Sequence, residues 1–236
     1  MLIVQTTRRQ GVSYLETTLA GLEKMTELRK CVVLSDGPIE PGIDLHGFEL
    51  VELPKQGARA TGWEAFKLAQ RWNVDDVIVV QDDLALCADA AEVIHAAAVP
   101  AGCIALMFYT AYPPAGFQYS QPGEPRIVVG PANRASGAQA LKYPRTSIDY
   151  FCSKDPFVDA AVLGVNSTSR HLLDDAIFQL ASISSMPDIG LVLPCPIEHV
   201  GLVSSVDPHL RHLPVWSVGA GKKFPTNVRE LSIIRV

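Results

Sequence analysis

Val77-Ile78-Val79-Val80-Gln81-Asp82-Asp83 is the stretch on which the fold turns. Four β-branched residues in succession read as a buried strand, and the strand is cut off by an amide and two carboxylates. Adjacent carboxylates at the mouth of a buried strand repel each other and lose hydration unless a cation or a donor-rich ligand lies between them. The junction therefore marks a core strand and a candidate binding site together. A solvated strand-end turn is the plainer alternative for the pair.

Working outward, residues 2–5 read as a strand, Thr6-Thr7-Arg8-Arg9-Gln10-Gly11 as a loop, and Ser13 as the N-cap of a helix with Glu16 at the capping-box position. Residues 31–34 form a second strand closed by Ser35-Asp36-Gly37-Pro38, and residues 48–53 a third ended by Pro54. Trp63, Phe66, Leu68, Ala69 and Trp72 fall at helical spacing within residues 61–72. An alanine-rich helix is expected over 88–98 and a strand over 103–109. Strands alternating with helices in this way predict an α/β fold: one mainly parallel, Rossmann-like sheet flanked by helices, in a single domain. Ligands of such sheets gather at the carboxyl ends of the strands, so residues 6–10, 35–37, 56–59 and 81–83 should meet on one rim. Asp75-Asp76 precede their strand and are expected on the opposite edge as solvated charges.

Past Tyr109 the chain is rich in proline and glycine, as in Tyr112-Pro113-Pro114 and Gln121-Pro122-Gly123-Glu124-Pro125. Long loops with short strands that shape a pocket or lid are expected there. Helical patterning returns over 156–163 and more strongly over 174–182, followed by a short strand at 191–193.

The 236 residues are 48% hydrophobic and 19% charged, a balance that folds into a sizeable core and excludes a disordered or fibrous chain. A formal charge of -5 leaves no global basic footprint for a phosphate backbone. Five scattered cysteines without CxxC spacing indicate neither a zinc knuckle nor a disulfide framework, and reduced, mostly buried thiols are expected. Met1 leads directly into Leu2-Ile3-Val4 with no leader pattern, and no apolar run is long enough to span a bilayer, so a cytoplasmic location is expected.

Two further stretches complete the pattern: Ser35-Asp36-Gly37 closing an early strand, and His199-Val200-Gly201 followed by Ser204-Ser205 near the end. With the acidic cluster, in which Gln81 stands at the first aspartate of a DxD, they resemble a GT-A glycosyltransferase. The closing run is similar to the end of the type IV branching N-acetylglucosaminyltransferases that build complex N-glycans. The resemblance covers most of the chain as an order of elements. It implies a nucleotide-binding half over 1–110 and an acceptor-binding half over 111–236. It also implies a divalent ion, Mn²⁺ or Mg²⁺, between protein and donor diphosphate, with Asp83 as main ligand and His199 completing the set. Asp82 would face the ribose or the sugar, and Asp36 the base or ribose. Thr6, Thr7 and Arg8 would meet the nucleotide, with Arg59 and Lys222 pairing phosphates. An inverting transferase also needs a carboxylate base; Asp174 and Asp175 resemble that acidic pair, Asp174 slightly preferred, with Asp155 and Asp159 as weaker rivals. Plainer readings stand beside each of these: a hydrogen-bonded core histidine for His199, an Asp-Gly turn for Asp36, a helix cap for Asp174, and solvated charges for the basic residues.

The activity so implied is transfer of a hexosyl or N-acetylhexosaminyl group from a nucleotide-diphosphate sugar to a hydroxyl. The acceptor would be a glycan or lipid-linked precursor, with a hydroxymethylated DNA base as second choice. The competing reading is a catalytically silent nucleotide-sugar or glycan binder. Other motifs fail: Gly219 to Lys223 lacks the Ser or Thr and the earlier glycine of a phosphate-binding P-loop, and His209 and His212 sit too irregularly among prolines for a zinc helix.

Overall fold

The computed structural model describes residues 1–7, 13–110, 124–135, 137, 139–154, 173–200 and 217–235, with residues 58, 134 and 173–175 described by backbone alone. Strand β1 (Leu2–Thr7) leads to helices α1 (Leu15–Leu22) and α2 (Met25–Leu28), then β2 (Cys31–Asp36), β3 (Glu49–Leu53) and α3 (Ala58–Arg71). Next come β4 (Asp76–Gln81), the short β5 (Leu84–Leu86), α4 (Ala90–Ala96), β6 (Cys103–Met107), β7 (Arg126–Pro131) and β8 (Ala140–Pro144). Helices α5 (Arg145–Cys152) and α6 (Leu173–Ser182) precede β9 (Asp188–Leu193), β10 (Ile197–His199) and β11 (Ser232–Arg235).

Among the described residues nine strands form one sheet in the order β11-β7-β9-β6-β8-β4-β1-β2-β3, while β5 and β10 pair separately. Strands β3, β2, β1 and β4 are mutually parallel, as are β6 with β9 and β11 with β7. The exceptions are β8, antiparallel to both β4 and β6, and β7, antiparallel to β9. This is the expected α/β architecture with a mainly parallel sheet.

Strand periodicity divides the core into two layers. Leu2, Val4, Val33, Ile78 and Val80 face a layer containing Leu15, Leu19 and Leu22 of α1, Met25 of α2, and Ala90 and Ile94 of α4. Ile3, Val32, Leu34, Val77, Val79, Leu141 and Tyr143 face the other layer, with Trp63 and Phe66 of α3, Phe151 of α5, and Ile177 and Leu180 of α6. Phe66 anchors that second layer, stacked on Phe151 at 4.8 Å and edge-on to Tyr143 at 4.9 Å.

Two expectations need correction. Helix α1 opens at Leu15 with Tyr14 at the cap position and no side-chain cap, so Ser13 is not its N-cap. Its apolar face, inserted in the first layer, fixes the helix in place of a capping box. Asp76 is not a solvated charge either: Arg29 Nη1 lies 2.5 Å and Lys142 Nζ 3.5 Å from its carboxylate. Lys142 is buried and also donates to the carbonyls of His95 and Ala97 at 2.9 and 2.8 Å. A buried ammonium needs a counter-charge, and Asp76 is the carboxylate within reach. The expected helix over 156–163, and Asp155 and Asp159 with it, lie outside the described residues.

Candidate functional site

Because β1 to β4 run parallel, their carboxyl ends share an edge, where register sets Gln5 beside Gln81, Thr6 beside Ser35 and Thr7 beside Asp36. Asp82 and Asp83 follow at the end of β4, 4% and 5% exposed. Two carboxylates so poor in water need partners, and each has one from a distant element. Asp82 Oδ2 accepts a short hydrogen bond from Thr6 Oγ1 at the end of β1. Asp83 Oδ2 lies 2.9 Å from His199 Nε2, both side chains almost fully buried.

Strand β10 delivers the histidine. It pairs antiparallel with β5 in the register His199 to Leu84, Glu198 to Ala85 and Ile197 to Leu86, and Val200 N–H donates to the Asp83 carbonyl at 3.0 Å. The ring of buried Tyr109 stands 6.3 Å from the imidazole. Ser217 donates a short hydrogen bond to Glu198, holding the returning chain beside β10. On the other flank, Thr18 of α1 hydrogen-bonds the Asp82 carbonyl at 2.9 Å and the Leu84 amide at 3.2 Å. Sequence reading missed Thr18, although its place between Leu15, Leu19 and Leu22 puts it on the buried helix face.

The other expected site residues are distributed unevenly. Asp36, at the end of β2, is buried and accepts from the amides of Gln56 and Gly57 at 2.6 and 3.0 Å, bracing the loop into α3. Thr7 lies beside it. Arg59 is half-buried in the first turn of α3. Lys222 is exposed, and its backbone sits by Leu86 and Ala88, at the end of β5 away from Asp83. Asp174 and Asp175 occupy the first turn of α6, whose backbone alone is described there. Arg8 lies outside the described residues.

Asp83 and His199 are residue types that could hold a divalent ion. Their 2.9 Å separation is that of a direct hydrogen bond between them. Among the described residues no group of three His, Cys, Asp or Glu side chains is poised for a metal. Ions of this kind commonly take one or two protein ligands and complete their shell with phosphate oxygens and water. The cysteines are free and take no part: burial pushes Cys195 and Cys87 up to about 12, and Cys31 and Cys103 up to about 11. Such thiols are inert at neutral pH.

No family model matches the chain, and no curated protein matches it. Among solved structures it is similar to a glycosyltransferase involved in the glycosylation of the major capsid of PBCV-1, over 72% of this chain and 70% of that one, at 6% identity and a TM-score of 0.27. Among the described residues no helix is long and apolar enough to cross a membrane.

Proposed function

We propose that the chain is a metal-dependent glycosyltransferase that moves a sugar from a nucleotide-diphosphate donor to a hydroxyl. The observation that carries this reading is the meeting of Asp83 and His199, 116 residues apart in sequence, at the carboxyl edge of the sheet. The Asp83 carboxylate suits Mn²⁺ or Mg²⁺, and His199 would complete the set as the resemblance implies. Bound there, such an ion would neutralise diphosphate charge and stabilise the departing nucleotide as a Lewis acid.

The chain's own groups do the rest. Thr6 holds Asp82 by its Oδ2, fixing that carboxylate to accept from donor hydroxyls. Thr7 and Asp36 sit on the nucleotide side of the rim, Arg8 would join them by the resemblance, and Arg59 in the first turn of α3 serves as a phosphate partner. The first turn of α6 carries Asp174 and Asp175, of which Asp174 is the preferred base for the acceptor hydroxyl. A glycan or lipid-linked acceptor suits the acidic chain better than a hydroxymethylated base in duplex DNA, since net negative charge opposes binding to a polyanion.

Calorimetry with a set of nucleoside diphosphates and their sugars, with and without Mn²⁺, tests the reading. Metal-dependent binding and release of nucleoside diphosphate are expected, with Asp83→Ala and His199→Ala each costing on the order of 10²-fold in turnover. Absence of binding by every nucleotide, with or without Mn²⁺, overturns it. Binding without turnover assigns a nucleotide-sugar binding protein instead.

A further inference from the structure

The turn that carries the two aspartates is gripped from both sides, and the grip on the helix side comes from one hydroxyl. Thr18 is completely buried in the middle of α1. Its Oγ1 lies 2.9 Å from the Asp82 carbonyl, 3.3 Å from the Leu84 carbonyl and 3.2 Å from the Leu84 amide nitrogen. A hydroxyl has one proton to give and lone pairs to receive. The geometry therefore has Thr18 donate to Asp82, the nearer carbonyl, while accepting from Leu84. A helical threonine commonly turns its hydroxyl back to its own preceding turn; this one spends it on a turn more than 60 residues away in sequence.

These bonds bracket Asp83. The residue before it is fixed through its carbonyl and the residue after it through its amide, both by Thr18, while the Asp83 carbonyl is held by Val200. With the peptide units on either side fixed, the Asp83 carboxylate is presented to His199 from a rigid backbone. We infer that Thr18 is the positioning residue of the cation site: it acts through the backbone of residues 82–84 and touches neither ion nor donor. This inference rests on the cation reading above.

The test compares Thr18→Val, which keeps the branched shape and removes the oxygen, with wild type and Thr18→Ser. Mn²⁺ affinity is read by calorimetry or by the electron paramagnetic resonance of the free ion, and amide hydrogen exchange is followed over residues 82–86. Thr18→Val is expected to bind Mn²⁺ about 10-fold more weakly, the lower end of what residues supporting metal ligands contribute. Faster exchange should be confined to the turn, and Thr18→Ser should restore both properties. Should Thr18→Val not fold, Thr18→Ser against Thr18→Ala repeats the comparison, since those two differ by the hydroxyl alone. Unchanged Mn²⁺ affinity in the hydroxyl-free variant overturns the inference. If wild type itself takes up no Mn²⁺, the cation reading is what fails. The exchange data then decide Thr18: protection lost only in the turn supports a positioning role there, and unchanged protection removes it.

Discussion

Asp36 shows how one carboxylate can satisfy two readings of the same residue. Its oxygens accept from the amides of Gln56 and Gly57, immediately ahead of α3, so it performs for that loop what a capping side chain performs for a helix. Asp36→Ala should therefore cost about 1–2 kcal/mol of stability in urea unfolding even with no nucleotide present. A variant as stable as wild type would show that the loop amides find other partners. That Asp83 and His199 lie together agrees with the order of motifs in the resemblance, which set a strand-end carboxylate against a late histidine. Thr18 was not legible from sequence, since a threonine among leucines reads as filler until the turn it faces is known. Asp76 was misread because its partners, Arg29 and Lys142, come from distant segments that no local window contains.

Among the elements, the early strand and helix succession was readable to within a few residues because each strand is a short apolar run between turn signals. Strand β8 and helix α5 were not expected. The sequence 140–152 mixes Lys142 and Arg145 with Tyr143 and Phe151, and only tertiary context, antiparallel pairing with β4 and the aromatic layer on α3, tells strand from helix there. Strand β9 offers a test at this scale. It lies between β6 and β7, and Gly190 stands opposite Leu106 and Val129. A Cβ at that position would come within 2.9 Å of Leu106 Cδ1 and 3.3 Å of both Ile127 Cγ2 and Pro100 Cδ. With neighbours on three sides, one moving aside does not clear the space. Gly190→Ala should destabilise by about 1–3 kcal/mol, read as a lower urea midpoint at unchanged slope; a midpoint equal to wild type would mean that Leu106 repacks freely.

At the scale of the whole molecule, the edge of the sheet opposite the candidate site is neutralised internally by Asp76, Arg29, Lys142 and His95. Arg29 Nη2 lies 3.0 Å from His95 Nδ1. Burial pushes the His95 imidazole below its ordinary value, and the charges of Arg29, Lys142 and Arg229 add to this against the opposing pull of Asp76. Burial works to raise the Asp76 carboxyl, but Lys142 and Arg29 outweigh it and hold it below the ordinary carboxylate value. In both cases the unfolded chain takes up a proton more readily than the folded one, so stability falls as pH falls through each window. The His95 contribution is complete above its unfolded value of 6.5 and erodes as pH drops through the lower folded value. The Asp76 contribution is complete above 3.8 and is lost further into acid. Urea midpoints measured from pH 7 to 3 should therefore decline in two stages. His95→Gln should remove the first stage and leave the second. Asp76→Asn should cost about 2 kcal/mol already at pH 7, by leaving Lys142 buried without its carboxylate, and should flatten the acid stage. A His95→Gln curve that parallels wild type between pH 6.5 and 5 would take His95 out of this account, and a neutral Asp76→Asn would show that the carbonyls of His95 and Ala97 suffice for Lys142.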